Sequence, residues 1–180
     1  MFWCRFIFII LIKFEFMKIQ GRKFNYLQVE KTLPNGYKVK IDMVEHPGAS
    51  LIVPLVDKNH IIMLRQYRAV LDKYLYECPA GTLDPKESLL TCAKRELIEE
   101  TGFEAKKIKK IGQIYPVPGY STEVIYIFKA ENLIQREIKN ELDEIIKSFV
   151  ISRSKVLWLF KSGRIVDAKT ICGLAFLGWL

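Results

Sequence analysis

The chain is 180 residues long, which is enough for one well-filled core and short for two domains. Half of its residues are hydrophobic and 27% are charged, a composition typical of globular proteins and not of disordered chains. The formal net charge of +8 favours an anionic partner, such as a phosphate compound, nucleic acid or a membrane surface, but does not choose among them.

The first segment, residues 1–16, is the least ordinary part of the chain. Its apolar run from Phe6 to Ile12 ends at Lys13, well short of the roughly 20 residues that cross a bilayer. No small-residue cleavage site follows it. A membrane-associated end and an added edge strand are both open. We favour a third interpretation, in which this segment is peripheral and the working protein begins near Met17.

Strands dominate the rest of the chain. The tight-turn pair Asn35-Gly36 separates two alternating segments, so residues 17–45 are predicted to form N-terminal antiparallel strands. Residues 46–180 are predicted to form the single domain of the chain, to which the N-terminal strands are added. Its predicted strands cover residues 51–56, 61–65, 108–115, 124–128 and 148–151.

Three helices are predicted between and after these strands. They cover residues 88–101, ended by Gly102, residues 152–161, and a last segment from Ala168 towards Trp179 with Asp167 as its cap. Because strands and helices do not alternate regularly, this order favours an α+β fold with a mixed sheet.

The first predicted helix carries glutamates close to its apolar face. Leu89, Leu90, Ala93 and Leu97 share one direction, which must face the core. On a wheel of roughly 100° per residue, Glu100 falls roughly 35° and Glu96 roughly 75° from the centre of that face. Both therefore lie at the rim of the buried face, and Arg95 is expected to point away from them.

Two carboxylates at such a rim need a positive partner. A hard divalent cation fits, because Mg²⁺ takes oxygen ligands from one or two carboxylates, substrate phosphates and water. A backbone carbonyl at the Ala80-Gly81 turn is a further candidate ligand, since glycine permits close approach. The alternative is an ordinary solvated acidic helix, and the helical pattern alone does not exclude it.

A more specific signal is the segment Gly81-x5-Glu87-x7-Arg95-Glu96-Leu97-x-Glu99-Glu100-x-Gly102-Phe103. It resembles, without a mismatch, the signature of the Nudix hydrolases, which cleave nucleoside diphosphates linked to another moiety and have an α/β/α sandwich fold. The resemblance implies that Glu96 and Glu100 bind Mg²⁺ or Mn²⁺ and that Glu99 assists catalysis. It also implies that the site geometry is supported by Gly81, Glu87 and Arg95.

The similarity extends over residues 44–177 and looks like the ADP-ribose pyrophosphatase branch of that family. It rests on Val44-Glu-His-Pro-Gly-Ala-Ser, Leu64-Arg-Gln-Tyr-Arg, Tyr76-Glu-Cys-Pro-Ala-Gly, Tyr115-Pro-Val-Pro-Gly-Tyr-Ser-Thr-Glu, Asp167-Ala-Lys-Thr, and Pro118 sixteen residues after Gly102.

Four residues are predicted to contact the substrate. Arg65 and Arg68 stand at a strand end, where at least one can donate to a diphosphate, and the resemblance favours Arg68. In the stiff loop that follows Tyr115, Gly119 provides room. Glu123, at the end of this loop, is expected near a ribose or the metal.

The branch also places an acidic segment after the last long strand, where it supplies a metal ligand or the general base. Glu141-Leu-Asp-Glu144 stands at the matching place, with Glu144 as the first candidate and Glu141 as the second. The alternative is a solvated loop.

The predicted reaction is Mg²⁺-dependent hydrolysis of ADP-ribose to AMP and ribose 5-phosphate. Two alternatives stay open. One is a Nudix hydrolase for another nucleotide sugar or an oxidised nucleotide, and the other is a non-catalytic nucleotide-binding module.

Partners and location are predicted less directly. The resemblance implies a homodimer in which the N-terminal strands reach the partner and complete the substrate site.

The four cysteines form no C-x-x-C pair, which favours reduced thiols in a cytoplasmic protein. The lysines at positions 106, 107, 109 and 110 flank a strand, so they indicate a solvated turn and not a nucleic-acid site.

Overall fold

The computed structural model describes residues 17–136 and 145–180. The predictions for residues 1–16, Glu141 and Glu144 therefore lie outside the described residues. Within the described ranges, no helix is long and apolar enough to cross a membrane.

Residues 17–45 form a three-stranded antiparallel sheet of their own. Its strands are β1 (Met17–Gln20), β2 (Asn25–Thr32) and β3 (Lys38–Glu45), in that spatial order. Gly36, in the turn before β3, has a φ of 82°, a conformation that glycine adopts without steric cost. This is the hairpin that the Asn35-Gly36 pair predicts.

Within residues 17–136 and 145–180, the main sheet contains seven strands. They are β4 (Ala49–Asp57), β5 (His60–Arg68), β6 (Lys73–Glu77), β7 (Ala80–Thr82), β8 (Phe103–Ile114), β9 (Ile125–Gln135) and β10 (Ile146–Ser152). The central order is β10-β5-β4-β9-β8, with β6 paired to β5 and β7 paired to β4. The β4–β9 pair is parallel and the other pairs are antiparallel, which makes the sheet mixed.

Three helices lie in the described part of the chain: α1 (Leu89–Thr101), α2 (Arg153–Lys161) and α3 (Ala168–Phe176). Helix α1 begins where the Ser88 hydroxyl accepts the N–H of Thr91, and it ends at Gly102, whose φ is 72°. Helix α3 begins at the predicted cap, where the Asp167 carboxylate accepts the N–H of Thr170.

The helices cover both faces of the main sheet, because successive residues of a strand point to opposite sides. On β4, Leu51 and Val53 pack with α2 and α3, whereas Ile52 packs with α1. The helical side chains in these two cores include Val156, Leu159 and Leu174 on one face, and Ala93 and Leu97 on the other. The predicted α+β fold, an α/β/α sandwich with a mixed sheet, is thereby confirmed.

Local details differ from the sequence expectations. The pattern does not predict β6, and Ala80-Gly81, expected as a turn, lies in the short strand β7. Leu90, expected on the core face of α1, is 43% exposed, whereas Cys92 is fully buried. The buried face of α1 is therefore shifted towards Cys92 and, one turn later, towards Glu96.

The end of α1 allows a stability test. Gly102→Ala places a Cβ on a residue with a φ of 72°, so we expect the free energy of unfolding in urea to fall by about 1–2 kcal/mol. The control is Gly119→Ala, because a Cβ there meets nothing within 4 Å and its φ is not left-handed. We expect the control to change stability by less than about 0.5 kcal/mol. Equal losses in the two variants would contradict the assigned cap.

Candidate functional site

A cavity of about 1450 Å³ is lined by distant parts of the chain. They include the β1–β2 turn, the loop between β7 and α1, the rim of α1 and the start of α3. The predicted site residues that line it are Arg68, Ala80, Gly81, Glu87, Arg95, Glu96, Glu99, Glu100 and Glu123. The fold therefore brings most of the predicted site together.

The positive charge of Arg95 compensates several of the glutamates that line the cavity. Its Nε and Nη2 donate to the two carboxylate oxygens of Glu87, each at 2.9 Å. Its Nη1 donates to Glu96 at 2.6 Å and to Glu99 at 3.0 Å. The expectation that Arg95 points away from Glu96 and Glu100 is wrong for Glu96. A helical wheel gives the direction of the Cβ, whereas the long arginine side chain turns back along the rim.

These contacts favour the ionised forms of both partners. Hydrogen bonding to Arg95 lowers the pKa of Glu87 below its ordinary value, although partial burial opposes the shift. The pKa of Arg95 is raised, first by its hydrogen bonds to Glu87 and then by Glu96 and Glu99, again against the effect of burial. Glu87 and Arg95 therefore form a fixed ion pair between the loop and the helix.

Glu96 lies against the backbone of Gly81. A Cβ built on Gly81 would overlap the Glu96 carboxylate, so any other residue there would force the Glu96 side chain out of this position. The Glu96 side chain is 12% exposed. The Cys92 thiol, one helical turn earlier, contacts the Gly81 carbonyl at 3.5 Å between sulfur and oxygen. At this point side chains of helix α1 pack directly against the backbone of strand β7.

Glu100 is the most deeply placed carboxylate of α1, with 8% of the residue exposed. The backbone N–H of Ala80 donates to its Oε2 at 2.8 Å. Ala80 therefore contributes a hydrogen-bond donor to the site, and its predicted carbonyl contact with a metal stays a prediction. Glu96 and Glu100 follow each other by one turn and line the same cavity.

The donor set of this rim fits a hard divalent ion. Among residues 17–136 and 145–180, no three His, Cys, Asp or Glu side chains are grouped as a ready-made metal site. Mg²⁺ does not need such a group, because it usually combines one or two carboxylates with substrate phosphates and water. The space that Gly81 leaves for Glu96 is consistent with such a two-carboxylate site.

The predicted substrate contacts are only partly brought together. Arg68 lines the cavity, but Arg65 lies over the ring of Tyr74, 3.8 Å from its centroid, and does not line it. Two residues three apart on a strand face opposite sides, which explains the separation. Glu123 lines the cavity, whereas Gly119 faces open space away from it.

Several contributors were not predicted, and three of them have clear contacts. They are the β1–β2 turn, which lines the cavity, and the charged residues Glu77 and Lys169. Glu77 and Lys169 form an ion pair although they are 92 positions apart in the chain. Both lie in segments that resemble the ADP-ribose pyrophosphatase branch, but the chain alone does not indicate that they meet.

Comparison with known proteins decides the family. Residues 45–172 match the NUDIX domain family, more than half of the chain. The chain belongs to the Nudix family. The resemblance stated from the signature is therefore confirmed, and the acidic rim of α1 lies within the matched residues. Proteins of this family generally use a divalent metal ion.

Several known proteins are similar to this chain over most of its length. It is 40% identical over 147 residues to the ADP-ribose pyrophosphatase of Bacillus subtilis (strain 168), covering 81% of this chain and 80% of that protein. It is 35% identical over 154 residues to the methanol dehydrogenase activator of Bacillus methanolicus, covering 84% and 83%. It is 31% identical over 138 residues to the GDP-mannose pyrophosphatase of Yersinia pestis (strain Pestoides F), covering 72% and 69%.

A solved structure agrees with the fold. The crystal structure of an ADP compounds hydrolase matches with a TM-score of 0.76 and 24% identity, over 90% of this chain and 89% of that chain. At this identity the match supports the Nudix fold and does not identify a substrate.

The charge of Arg95 predicts a pH-dependent contribution to stability. In Arg95→Met the clustered carboxylates lose their shared donor, so we expect the free energy of unfolding at pH 7 to fall by about 1–3 kcal/mol. The folded-state pKa of Glu87 lies below its ordinary value of 4.5. The contribution is therefore complete above that value and is lost as the pH falls through the lowered pKa. Urea unfolding should show the difference shrinking in acid.

The matched control for this prediction is Arg136→Met. Arg136 pairs with Glu104 on the surface, where the side chains are 54% and 41% exposed. Such pairs contribute about 0–1 kcal/mol. A loss as large in Arg136→Met as in Arg95→Met, or a difference that grows in acid, would show that Arg95 does not have the assigned role.

Proposed function

We propose that this Nudix protein is an ADP-ribose pyrophosphatase, which hydrolyses the diphosphate of ADP-ribose to AMP and ribose 5-phosphate. The observation that carries the proposal is the pair Glu96 and Glu100 on the buried rim of a cavity that Arg68 also lines. Acidic groups for a cation and a guanidinium for an anion suit a diphosphate. The choice of ADP-ribose is supported by the relative from Bacillus subtilis.

The proposed metal ion is Mg²⁺, with Mn²⁺ as the alternative, held by Glu96 and Glu100. The Ala80 carbonyl and Glu144 are further proposed ligands. When bound, such an ion supplies positive charge against phosphate oxygens and makes water a stronger acid.

The side chains of the protein have distinct proposed roles around this ion. The Ala80 N–H holds Glu100 in place through a hydrogen bond. Gly81, which has no Cβ, leaves the space that the Glu96 carboxylate occupies. Arg68 donates to the diphosphate, and Glu123 accepts from a ribose hydroxyl. A carboxylate within hydrogen-bond reach removes the proton of the attacking water. For this general base we propose Glu144 first and Glu141 second, with Glu99 assisting.

Turnover of ADP-ribose tests this function directly. With Mg²⁺ present, we expect the purified protein to form AMP and ribose 5-phosphate in equal amounts. Glu100→Gln keeps the size of the side chain and removes its charge, so we expect kcat/KM to fall by at least about 100-fold. Glu104→Gln, which alters an exposed surface pair, should retain full activity and serves as the control.

The same assay separates the alternatives. Faster turnover of GDP-mannose or of an oxidised nucleoside triphosphate would favour another Nudix substrate. Binding of ADP-ribose without any product would favour the nucleotide-binding module. Equal turnover by wild type and Glu100→Gln would contradict the proposed metal ligands.

The proposed location is the cytoplasm. The cysteines in the described part of the chain, Cys78, Cys92 and Cys172, are free thiols. Burial raises the pKa of Cys78 to about 12 and that of Cys92 to about 11, which keeps these thiols protonated and unreactive. Unpaired thiols are usual in a reducing compartment.

We also propose a homodimer formed through the N-terminal sheet. Alternation along β2 and β3 places five apolar side chains on one face: Leu27, Val29, Val39, Ile41 and Met43. Among the described residues, none of these five belongs to either hydrophobic core. A second copy would remove this face from water, which favours association.

The molar mass measured by light scattering after size-exclusion chromatography tests the dimer. We expect wild type to have the mass of two chains and Ile41→Lys to have the 21.0 kDa of one chain, because a charge on the apolar face opposes burial. Lys40→Gln changes the opposite face of the same strand and should leave the dimer intact. A single-chain mass for wild type would exclude the proposed dimer.

A further inference from the structure

His46 lines the cavity at the connection between β3 and β4, and its side chain is 11% exposed. Its backbone is fixed to the loop before β9. The His46 N–H donates to the Thr122 hydroxyl at 2.9 Å, and this hydroxyl lies 3.3 Å from the His46 carbonyl oxygen. The imidazole is therefore presented to the cavity from a backbone with little freedom to move.

The backbone of Gly48 determines which nitrogen of this imidazole carries the proton. The Gly48 N–H donates to Nδ1 of His46 at 3.0 Å, so Nδ1 is an acceptor and the proton of the neutral ring is on Nε2. Gly48 has a φ of 101°, which glycine adopts without steric cost, and its carbonyl accepts the N–H of Leu83 at 3.1 Å. The local fold thus makes Nε2 a hydrogen-bond donor.

This donor faces the carboxylate of Glu123. The distance from Nε2 of His46 to Oε1 of Glu123 is 3.9 Å, which is too long for a direct hydrogen bond. An oxygen atom about 2.8 Å from each of the two atoms fits between them. In the described part of the chain, neither Nε2 nor the Glu123 carboxylate has a hydrogen-bond partner. Both residues line the cavity, so a ligand in the cavity can reach this gap.

The far side of the gap is fixed as well. The Glu123 N–H donates to the Ser121 hydroxyl at 3.1 Å, and the Ala49 N–H donates to the Val124 carbonyl at 3.0 Å. The donor and the acceptor are therefore held at their separation before any ligand binds, which lowers the entropy cost of binding.

The two atoms together select the chemistry of the group between them. Nε2–H only donates, and an ionised carboxylate only accepts. The bridging group must accept from His46 and donate to Glu123. A hydroxyl does both, whereas a phosphate oxygen only accepts and an ammonium group only donates. The gap is therefore suited to a sugar hydroxyl and not to a phosphate.

We propose that His46 is a specificity-determining residue, whose Nε2–H binds one sugar hydroxyl of the substrate jointly with the Glu123 carboxylate. Gly48 is the positioning residue that sets the tautomer of His46. This inference rests on the proposed function and deepens it, because ADP-ribose carries such hydroxyls on its terminal ribose and on the ribose of adenosine. The chemistry of the bridge is the same for both riboses.

Two substitutions separate the donor of His46 from its acceptor. The amide of His46→Asn places an acceptor near the position of Nδ1 but no donor near Nε2, whereas that of His46→Gln places a donor near Nε2. We measure binding of ADP-ribose by calorimetry in excess EDTA, which prevents metal-dependent turnover. We expect His46→Asn to raise the Kd about tenfold, the effect of one lost hydrogen bond, and His46→Gln to stay within about threefold of wild type.

A purely structural role of His46 predicts the opposite order, because only His46→Asn keeps an acceptor for the Gly48 N–H. The matched control is His60→Gln, which changes an exposed histidine paired with Asp57 and should leave the Kd unchanged. In turnover with Mg²⁺, His46→Asn should raise KM about tenfold and keep kcat within about twofold, because the bridged hydroxyl is not part of the diphosphate that reacts.

Two analogues of ADP-ribose identify the sugar that provides the hydroxyl. In one a methyl group replaces the terminal ribose, and in the other the adenosine lacks both ribose hydroxyls. Wild type and His46→Asn should bind equally well the analogue that lacks the bridged hydroxyl. If His46→Asn binds both analogues about tenfold more weakly than wild type, no sugar hydroxyl is bridged and the inference is overturned.

A spectrum of wild type covers the case in which His46→Asn does not fold. The chain has 2 histidines, so ¹⁵N-labelled histidine gives few signals to assign. On addition of ADP-ribose in EDTA, we expect the Nε2 signal of His46 to shift and the signals of His60 to stay in place. An unshifted Nε2 signal, or a wild-type Kd in His46→Asn, would overturn the inference. Binding as expected without formation of AMP in Mg²⁺ would contradict the proposed function alone.

Discussion

The constraint on which this structure depends is the compensation of negative charge at the edge of a hydrophobic core. Helix α1 buries Ala93 and Leu97 against the sheet, and Glu96, Glu99 and Glu100 stand beside or shortly after Leu97. Carboxylates at such a rim are unfavourable unless a donor or a cation meets them. Arg95 meets the outer members of the group, and the Ala80 N–H meets Glu100. Packing and site chemistry are therefore set by the same helix.

The same constraint operates around Glu77, but there the groups exposed to the cavity are positive and not negative. There the anion is buried, and the groups that reach the cavity are its cationic partners Arg68 and Lys169. Arg95 thus compensates the glutamates of helix α1, and Glu77 compensates Arg68 and Lys169. Arg95 joins helix α1 to the loop that precedes it, and Glu77 joins strand β5 to helix α3, which is far along the chain. The charge pattern therefore also fixes the relative positions of these elements.

Local patterns predicted much of this fold and less of its charge network. Periodicity and capping residues indicated α1 and its glutamate rim, because both depend on residues close in the chain. The short strands β6 and β7 were missed, since three to five residues give little alternation to read. Arg95 was assigned the wrong direction because a wheel carries no information on side-chain reach. The Glu77–Lys169 pair depends on the folded sheet, and no local rule anticipates it.

The N-terminal sheet is tied to the site by backbone hydrogen bonds. Val44, in β3, donates to the Tyr120 carbonyl and accepts the N–H of Thr122. The His46 N–H donates to the hydroxyl of Thr122, next to Glu123. At the same end the sheet carries the β1–β2 turn, because Gln20 and Asn25, which flank this turn, lie beside Glu45 of β3. The turn also lines the cavity. A rigid-body shift of this sheet would therefore move the cavity wall and the Glu123 loop together, which links any association through the sheet to the shape of the substrate site.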